Sequence, residues 1–351
     1  MKKMNKLKVL FIGGTGIISV SISELAVQQG IDLYLLNRGN RSQFIPEGAK
    51  TISADIHDET EVCEKLRGME FDVVVDFIAF KRADLERDYR LFKKNTRQFI
   101  FISSASVYQS PLSSPWITEG TPLSNPYWQY ARDKIDCEEF LTEKYRDEGF
   151  PITIIRPSHT YSRSYVPLGI HGPKGFFSVL QRIRFGQKVI VHGDGLSLWT
   201  VTHGRDFAKA FTGIMGNAHA IGEAYHITSD ESLTWNQIYG VIGAAFGTQP
   251  KIVHIPTDTL AKLHESFSGG LLGDKANTVL FDNTKIKKAV PGFAATIRFD
   301  QGVRESLEYI YSHEECQAED PDFDSWTNMV IKEYEAAARS LPKLTDQESR
   351  N

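Results

Sequence analysis

The sequence predicts an α/β protein built on a doubly wound parallel sheet, and three observations carry that prediction. Short apolar runs of strand length alternate with helix-periodic segments over roughly the first 150 residues. Asp72 to Ala79 (Asp-Val-Val-Val-Asp-Phe-Ile-Ala) is apolar almost throughout, as in a strand covered on both faces. Val9 to Ile12, a first buried strand, runs directly into the glycine-dense turn Gly13-Gly14-Thr15-Gly16. Beyond that turn Ile18, Ile22, Leu25 and Ala26 recur at helical spacing, and Gly30 stands where a helix stops.

The remaining elements follow in order. Ile31 to Leu36 reads as the second strand, ending in Asn37-Arg38-Gly39, and Lys50 to Ser53 as the third, ending at Ala54-Asp55. Glu59 to Arg67 is helical. Ala83 to Lys94 is a charged helix with an apolar stripe at Leu85, Tyr89 and Phe92. Gln98 to Ser103 is a strand, Tyr127 to Tyr145 a long helix, and Ile152 to Ile155 a strand stopped by Arg156-Pro157. From Ser158 to Gly175, Gly, Pro, Tyr and His accumulate as a loop region over a site. Helices are expected at Phe176 to Phe185, Asp206 to Met215 and Thr234 to Phe246. Strands are expected at Lys188 to His192, Ala224 to Thr228 and Lys251 to Ile255, the second of these rejoining the sheet. The division is therefore 1–157 for the sheet domain, completed by parts of 186–228, and 158–312 for a smaller α/β substrate domain. Residues 313–351 form an acidic helical tail with a stripe at Trp326, Val330, Ile331 and Tyr334. Frayed structure is expected for Lys343 to Asn351.

Composition narrows the function. Of 351 residues, 24% are charged and 41% hydrophobic, ordinary for a globular protein. A net charge of −4 gives no overall basic field, which counts against nonspecific nucleic-acid binding as the main role. Cys63, Cys137 and Cys316 are scattered and the histidines show no close ligand spacing, so neither a disulfide framework nor a metal site is expected. Met1 to Lys8 is basic, but the apolar run behind it is too short for a signal peptide, and no run approaches a membrane span. A cytoplasmic protein is expected.

Strand, glycine turn and helix are the context of a dinucleotide fingerprint. Gly13 and Gly14 permit the tight turn, Gly16 lets a pyrophosphate approach, and helix-start amides face the phosphates. The third glycine position is Ser19, which predicts slightly looser packing of helix on strand. Farther on, Tyr130 and Lys134 stand one helical turn apart on one face. A phenol is a poor base at neutral pH, and a neighbouring cation makes its proton transfer feasible. Tyr89 and Lys93 have the same spacing, but Tyr130 follows the strand ending in Ser103-Ser104 and can reach its carboxyl end. Tyr89 precedes that strand and reads as a packing or subunit contact.

Gly13-Gly14-Thr15-Gly16, Asp55-Ile56, Ser104-Ala105-Ser106-Val107-Tyr108, Tyr130-x-x-x-Lys134 and Arg156-Pro157 occur in that order. Together they resemble the extended short-chain dehydrogenase/reductases, the NAD-dependent sugar epimerases and dehydratases, over about Lys8 to Ser312. The resemblance implies a Rossmann-type domain and a catalytic triad of Ser104, Tyr130 and Lys134. Serine would orient the substrate oxygen, tyrosine exchange the proton, and lysine hold the nicotinamide ribose. It implies cofactor contacts from Gly13, Gly14, Thr15, Gly16, Ile17, Ile18, Asn37, Arg38, Asp55 and Ile56. Phe77, Ile78, Ala79, Ser103, Pro157 and His159 complete that set beside Tyr130 and Lys134. Ser106, His159 and Trp199 fall toward the substrate, although Ser103 and Ser106 also read as backbone-bonding groups at a strand end. Trp199 reads equally as core packing or as the wall of an apolar pocket.

NAD-specific relatives place an acid at the second strand's end, whereas this chain has Asn37, Arg38 and nearby Arg41, which leans toward NADP over NAD. Arginines that grip a sugar nucleotide's diphosphate in the family are absent: Trp199 stands at one position and Leu271 or Leu272 at the other. The run from Gly193 to Phe207 more closely resembles the chloroplast stem-loop-binding branch of the superfamily. RNA binding is therefore the alternative, with Lys174, Arg182, Arg184 and Lys188 as a candidate basic patch. The leading reading is an NAD(P)-dependent oxidoreductase of the epimerase/dehydratase/reductase type acting on a sugar-like small molecule. Family relatives pair through two helices, which implies a homodimer using Leu85, Tyr89 and Phe92 with Phe140 and Leu141.

Overall fold

The computed structural model describes residues 6–342. Its first half comprises β1 (Lys8–Ile12), α1 (Ser19–Gln28), β2 (Asp32–Asn37), β3 (Lys50–Ser53), α2 (Glu59–Lys65), β4 (Val73–Asp76), α3 (Arg82–Phe92), β5 (Phe99–Ile102), β6 (Trp116–Ile117), α4 (Gln129–Glu148) and β7 (Ile152–Pro157). The second half continues with β8 (His159–Tyr161), α5 (Phe177–Arg184), β9 (Lys188–His192), β10 (Leu198–His203), α6 (Gly204–Ile214), β11 (Ala224–Ile227), β12 (Ser232–Thr234) and α7 (Trp235–Ala245). It ends with β13 (Lys251–Ile255), α8 (Thr257–Leu263), α9 (Glu265–Gly270), β14 (Leu280–Phe281), α10 (Thr284–Ala289), α11 (Phe299–Ser312) and α12 (Pro321–Ser340).

Seven parallel strands form the main sheet in the order β3-β2-β1-β4-β5-β7-β11. The chain leaves β1 toward one edge and resumes at β4 toward the other, so the crevice for a ligand opens above the carboxyl ends of β1 and β4. Alternate side chains serve opposite faces. Val9, Phe11, Val73 and Val75 pack with Ile22 and Ala26 of α1 and with Phe207 and Phe211 of α6. Leu10, Ile12 and Val74 pack with α3 and α4 on the other side. Burial on both faces is why these strands read as continuous apolar runs. A third core, around Trp199, Trp235 and Tyr239, belongs to the second half, and Phe323, Val330 and Ile331 of α12 close it.

Several expectations need correction. The strand predicted to run to Ala79 ends at Asp76, whose carboxylate accepts the Ile78 amide at 2.5 Å and the Ala79 amide at 2.7 Å and so turns the chain. Conversely β7 does not stop before Arg156-Pro157, because β11 pairs with both residues and Glu138 neutralises the buried arginine from 2.6 Å. In the stretch 186–228, parts of which were expected to complete the sheet, β11 adds to the main sheet and β9 pairs with β13. Leu85, Tyr89, Phe92, Phe140 and Leu141, expected at a subunit contact, are buried within the one chain. The outward faces of α3 and α4 carry charges, with Arg82 reaching Glu86 and Asp136. The segment expected to fray, Lys343 to Asn351, lies outside the described residues. Among those described, no helix is long and apolar enough to cross a membrane.

Candidate active site

The glycine turn after β1 is shaped by close approach. Gly13 adopts φ +83°, a left-handed conformation, and a Cβ on Gly14 would stand 2.5 Å from a Leu35 methyl. Ser19 fastens the turn: its hydroxyl accepts the Gly16 amide at 2.7 Å and donates to the Gly13 carbonyl at 3.0 Å. Ser23 adds a bond to the Gly14 carbonyl at 2.9 Å. The sequence-level expectation of looser packing at Ser19 thus missed what the hydroxyl does. Helix α1 begins without a side-chain cap and without an acid in its first turn, which leaves its leading amides and dipole available to an anion.

A groove of about 480 Å³ extends from this turn across the sheet. It is lined by Gly13, Thr15, Gly16, Asn37, Arg38, Asp55, Ile56 and Ile78 from the expected set. Arg38 and Arg41 are exposed beside it, and neither has an acidic partner among the described residues. Ile17 is exposed and Ile18 packs partly into the core, and neither lines the groove among the described residues. The Phe77 ring turns away, 5.2 Å from the Phe11 ring and 5.9 Å from that of Phe211. Phe80, which sequence reasoning missed, is 51% exposed and lines the groove in its place. Two polar atoms in this region, Asn37 Nδ2 and Ser103 Oγ, are buried without a hydrogen-bond partner. A long groove, an uncapped helix start, two unpaired arginines and orphaned polar atoms together fit a dinucleotide.

A second cavity, of about 270 Å³, opens beside the carboxyl ends of β5 and β7. Ser104, Ser106, Tyr130, Pro157, His159 and Trp199 all line it. Ser104 and Ser106 have their hydroxyls 2.9 Å apart. Lys134 lies beneath, with its ammonium donating to the Ala79 carbonyl at 2.7 Å and the Ile102 carbonyl at 2.8 Å, and 5.8 Å from the Tyr130 ring. Burial raises the Tyr130 phenol above its ordinary value, with the Ser104 hydroxyl pulling the other way. Burial also pushes the Lys134 ammonium down to about 8. Phe80 spans the two spaces, 6.3 Å from the Tyr130 ring and 4.8 Å from the Lys134 ammonium. Tyr89, with the same spacing to a lysine, packs edge-on against Phe140 and Phe150, remote from both spaces.

His159 faces this cavity rather than the groove. It lies 5.1 Å from Trp199 and 5.8 Å from Tyr165, and burial followed by the Lys275 charge pushes its pKa down to about 3, so it is neutral. Trp199 is both core and wall: it packs 5.3 Å from Trp235 and lines the cavity. Asp274, Lys275 and Trp128 also line it and were missed. No motif marks them. They arrive because Gly269 and Gly273 let the segment after α9 settle on Trp128, where a Cβ on Gly269 would stand 2.3 Å from the indole.

A groove at the glycine turn, meeting a serine–tyrosine cavity over a buried lysine, agrees with the resemblance to the extended short-chain dehydrogenase/reductases. Residues 9–228 match the NAD dependent epimerase/dehydratase family, and the chain belongs to it. A chloroplast stem-loop binding protein of 41 kDa from Arabidopsis thaliana is 27% identical over 263 residues, covering 70% of this chain and 65% of that protein. A UDP-glucose 4-epimerase from Lactobacillus helveticus is 29% identical over 170 residues, covering 43% of this chain and 51% of that one. The chain thus spans less than two thirds of the length of these relatives. The crystal structure of dTDP-glucose 4,6-dehydratase from Bacillus anthracis, in complex with NAD, superposes with TM-score 0.69 at 18% identity, covering 88% and 98% of the two chains.

Proposed function

We propose that the protein is an NAD(P)-dependent oxidoreductase of the sugar epimerase, dehydratase or reductase type. The observation that carries this reading is the meeting of Ser104 and Tyr130 at one cavity, with Lys134 beneath and Phe80 linking it to the groove. When bound, a nicotinamide supplies a hydride acceptor or donor. The Gly13–Gly16 turn and the α1 amides would hold the pyrophosphate, Asp55 and Ile56 the adenine end, and Lys134 the nicotinamide ribose. Tyr130 would exchange the proton of the reacting hydroxyl while Ser104 orients that oxygen. A depressed phenol is required for this, and the positive charge of Lys134 together with an oxidised nicotinamide would lower it. Arg38 supports NADP over NAD. We also retain 1–157, 158–312 and 313–351 as the functional division.

The RNA-binding alternative has less support. Arg182 donates to Asp324 and Asn328 and is buried, and Lys188 pairs with Glu335, so two of the four candidate cations are spent inside the chain. A dimer through α3 and α4 would have to use their charged outer faces, and its dissociation should then increase with salt.

Tyr130→Phe tests the reading. Fold and cofactor affinity should survive while turnover of a genuine substrate falls by about 10²–10⁴-fold, the range for an acid–base group. Tyr89→Phe is the matched control and should leave turnover unchanged. Full activity in Tyr130→Phe would remove the active-site assignment.

A further inference from the structure

The cavity contains a cation that proton and hydride transfer do not use. Lys275 closes a single π-helical turn, Leu271–Lys275, and only 14% of its side chain is exposed. Its ammonium stands 5.8 Å from the Trp128 ring and 5.7 Å from the Trp199 ring, between two indoles. The Gly270 carbonyl accepts from it at 3.5 Å, the outer limit of a hydrogen bond, and the nearest Asp274 oxygen is 3.9 Å away. An ammonium carries three donors, so this one is left under-satisfied in a largely dry place, which costs free energy. Its backbone is nonetheless fixed. The Lys275 carbonyl receives Ser197 Oγ at 2.9 Å and Trp235 Nε1 at 3.0 Å, with His192 Nε2 at 3.1 Å.

The charges around this ammonium limit what it can pair with. Among the described residues Lys275 is the single cationic side chain lining the cavity, since His159 is held neutral, and Asp274 lies beside it. A phosphate brings nearly two charges and three acceptor oxygens, more than one lysine next to an aspartate answers. A carboxylate brings one charge and two oxygens. Trp128 and Trp199 offer apolar faces to a carbon chain, while Asp274 and Ser106 offer hydrogen bonds to hydroxyls. Trp128 also lies 4.9 Å from the Tyr130 ring, so the same indole borders both the cation and the phenol.

We propose that this cavity is a subsite for a small polyhydroxy acid, with Lys275 pairing its carboxylate and Trp128 and Trp199 covering its carbon chain. The proposal rests on the oxidoreductase reading for placing a carbinol at Tyr130, and it names the substrate class of that site as a free sugar acid.

Calorimetry of the full, NADP-loaded chain tests it with D-glucuronate, D-galacturonate and D-gluconate as probes. D-Glucuronamide is the uncharged isostere, and D-glucose 6-phosphate carries the phosphate alternative. At least one acid should bind tenfold or more tightly than the amide and the phosphate. Lys275→Gln should abolish that margin without altering NADP affinity. The comparison of acid with amide needs no variant, so it stands even if Lys275→Gln fails to fold. Absence of binding by all three acids up to about 10 mM, equal binding of the amide, preference for the phosphate, or an undiminished margin in Lys275→Gln would each overturn the subsite. Measuring the same margin in Tyr130→Phe separates the two readings. Acid binding that depends on Lys275 without turnover in the parent protein keeps the subsite and removes the oxidoreductase assignment. Turnover of neutral sugars with no acid preference does the reverse.

Discussion

Ser19 Oγ accepts the Gly16 amide at 2.7 Å, and with this bond a serine does by hydrogen bonding what a glycine at that position does by its small size. The same oxygen donates to the Gly13 carbonyl, so the turn is closed by two bonds from one side chain. Each is worth about 1 kcal/mol net. Ser19→Gly restores the familiar glycine pattern, yet it should lower stability by about 1–2 kcal/mol. Cofactor affinity should weaken in the same variant, because the loop must then be ordered on binding. Denaturant titration and cofactor calorimetry check both. Tighter cofactor binding by Ser19→Gly would show that the hydroxyl is not what holds the turn.

The fold was largely legible because a sheet covered on both faces writes itself as apolar runs punctuated by helical stripes. Val9–Ile12 and Phe99–Ile102, apolar and buried throughout, needed little beyond that pattern. Where a polar side chain decides the backbone, the pattern fails. Asp76 ends β4 by capping the next turn, and the apolar letters after it, Phe77 to Ala79, carry no mark of this. Likewise the stripe Leu85, Tyr89 and Phe92 announces an apolar contact without saying whether sheet or subunit supplies it. In the site, Ser104 and Tyr130 stand in recognisable local motifs. Asp274 and Lys275 do not, since chain packing brings them to the cavity from more than 130 residues beyond Tyr130.

Asp88 provides a test of electrostatics inside the fold. Asp76 and Asp88 are fully buried and share one guanidinium, Arg87, which lies 2.8 Å from Asp88 and 3.7 Å from Asp76. Asp84 at 3.5 Å and His57 at 3.1 Å are the other titratable groups facing that guanidinium. Burial, reinforced by the Asp76 charge, raises the Asp88 carboxyl well above the ordinary range. The folded chain therefore keeps a proton that the unfolded chain releases, and stability falls as pH rises from the ordinary carboxylate value to the raised one. Asp88→Asn supplies a neutral group at every pH and removes that slope. Its melting temperature relative to the parent should climb over the pH range above the ordinary carboxylate value. A difference that stays flat or declines across this range would mean Asp88 is ionised when buried.

The proposed preference for NADP rests on Arg38. It lines the groove at the end of β2 without an acidic partner among the described residues, where a guanidinium suits a ribose phosphate. NADP should bind more tightly than NAD, and Arg38→Ala should lose most of the difference while leaving NAD affinity nearly unchanged. Equal affinities in the parent protein would sink the NADP preference without touching the fold.

The last prediction concerns what the cavity refuses. A UDP-sugar brings two phosphate charges, whose burial requires charge-assisted donors, and arginine's bidentate fork is the usual choice. Trp199 is buried at one of the positions where the family resemblance implies such an arginine, and Leu271, buried, or Leu272, half-buried, stands at the other. The remaining cation, Lys275, has Asp274 beside it, and the space of about 270 Å³ is walled by two indoles. Three other arginines of this half are engaged elsewhere: Arg163 with Glu24, Arg182 with Asp324 and Arg205 with Glu305. Missing donors at a buried charge cost about 2–5 kcal/mol, and 1.4 kcal/mol is a factor of ten, so the loss is on the order of a thousandfold in affinity. UDP-glucose and UDP-galactose should therefore bind the NADP-loaded protein no better than about millimolar by calorimetry. Low-micromolar binding of either would show that the diphosphate is held from another direction, and would make a sugar-nucleotide epimerase the better reading of this site.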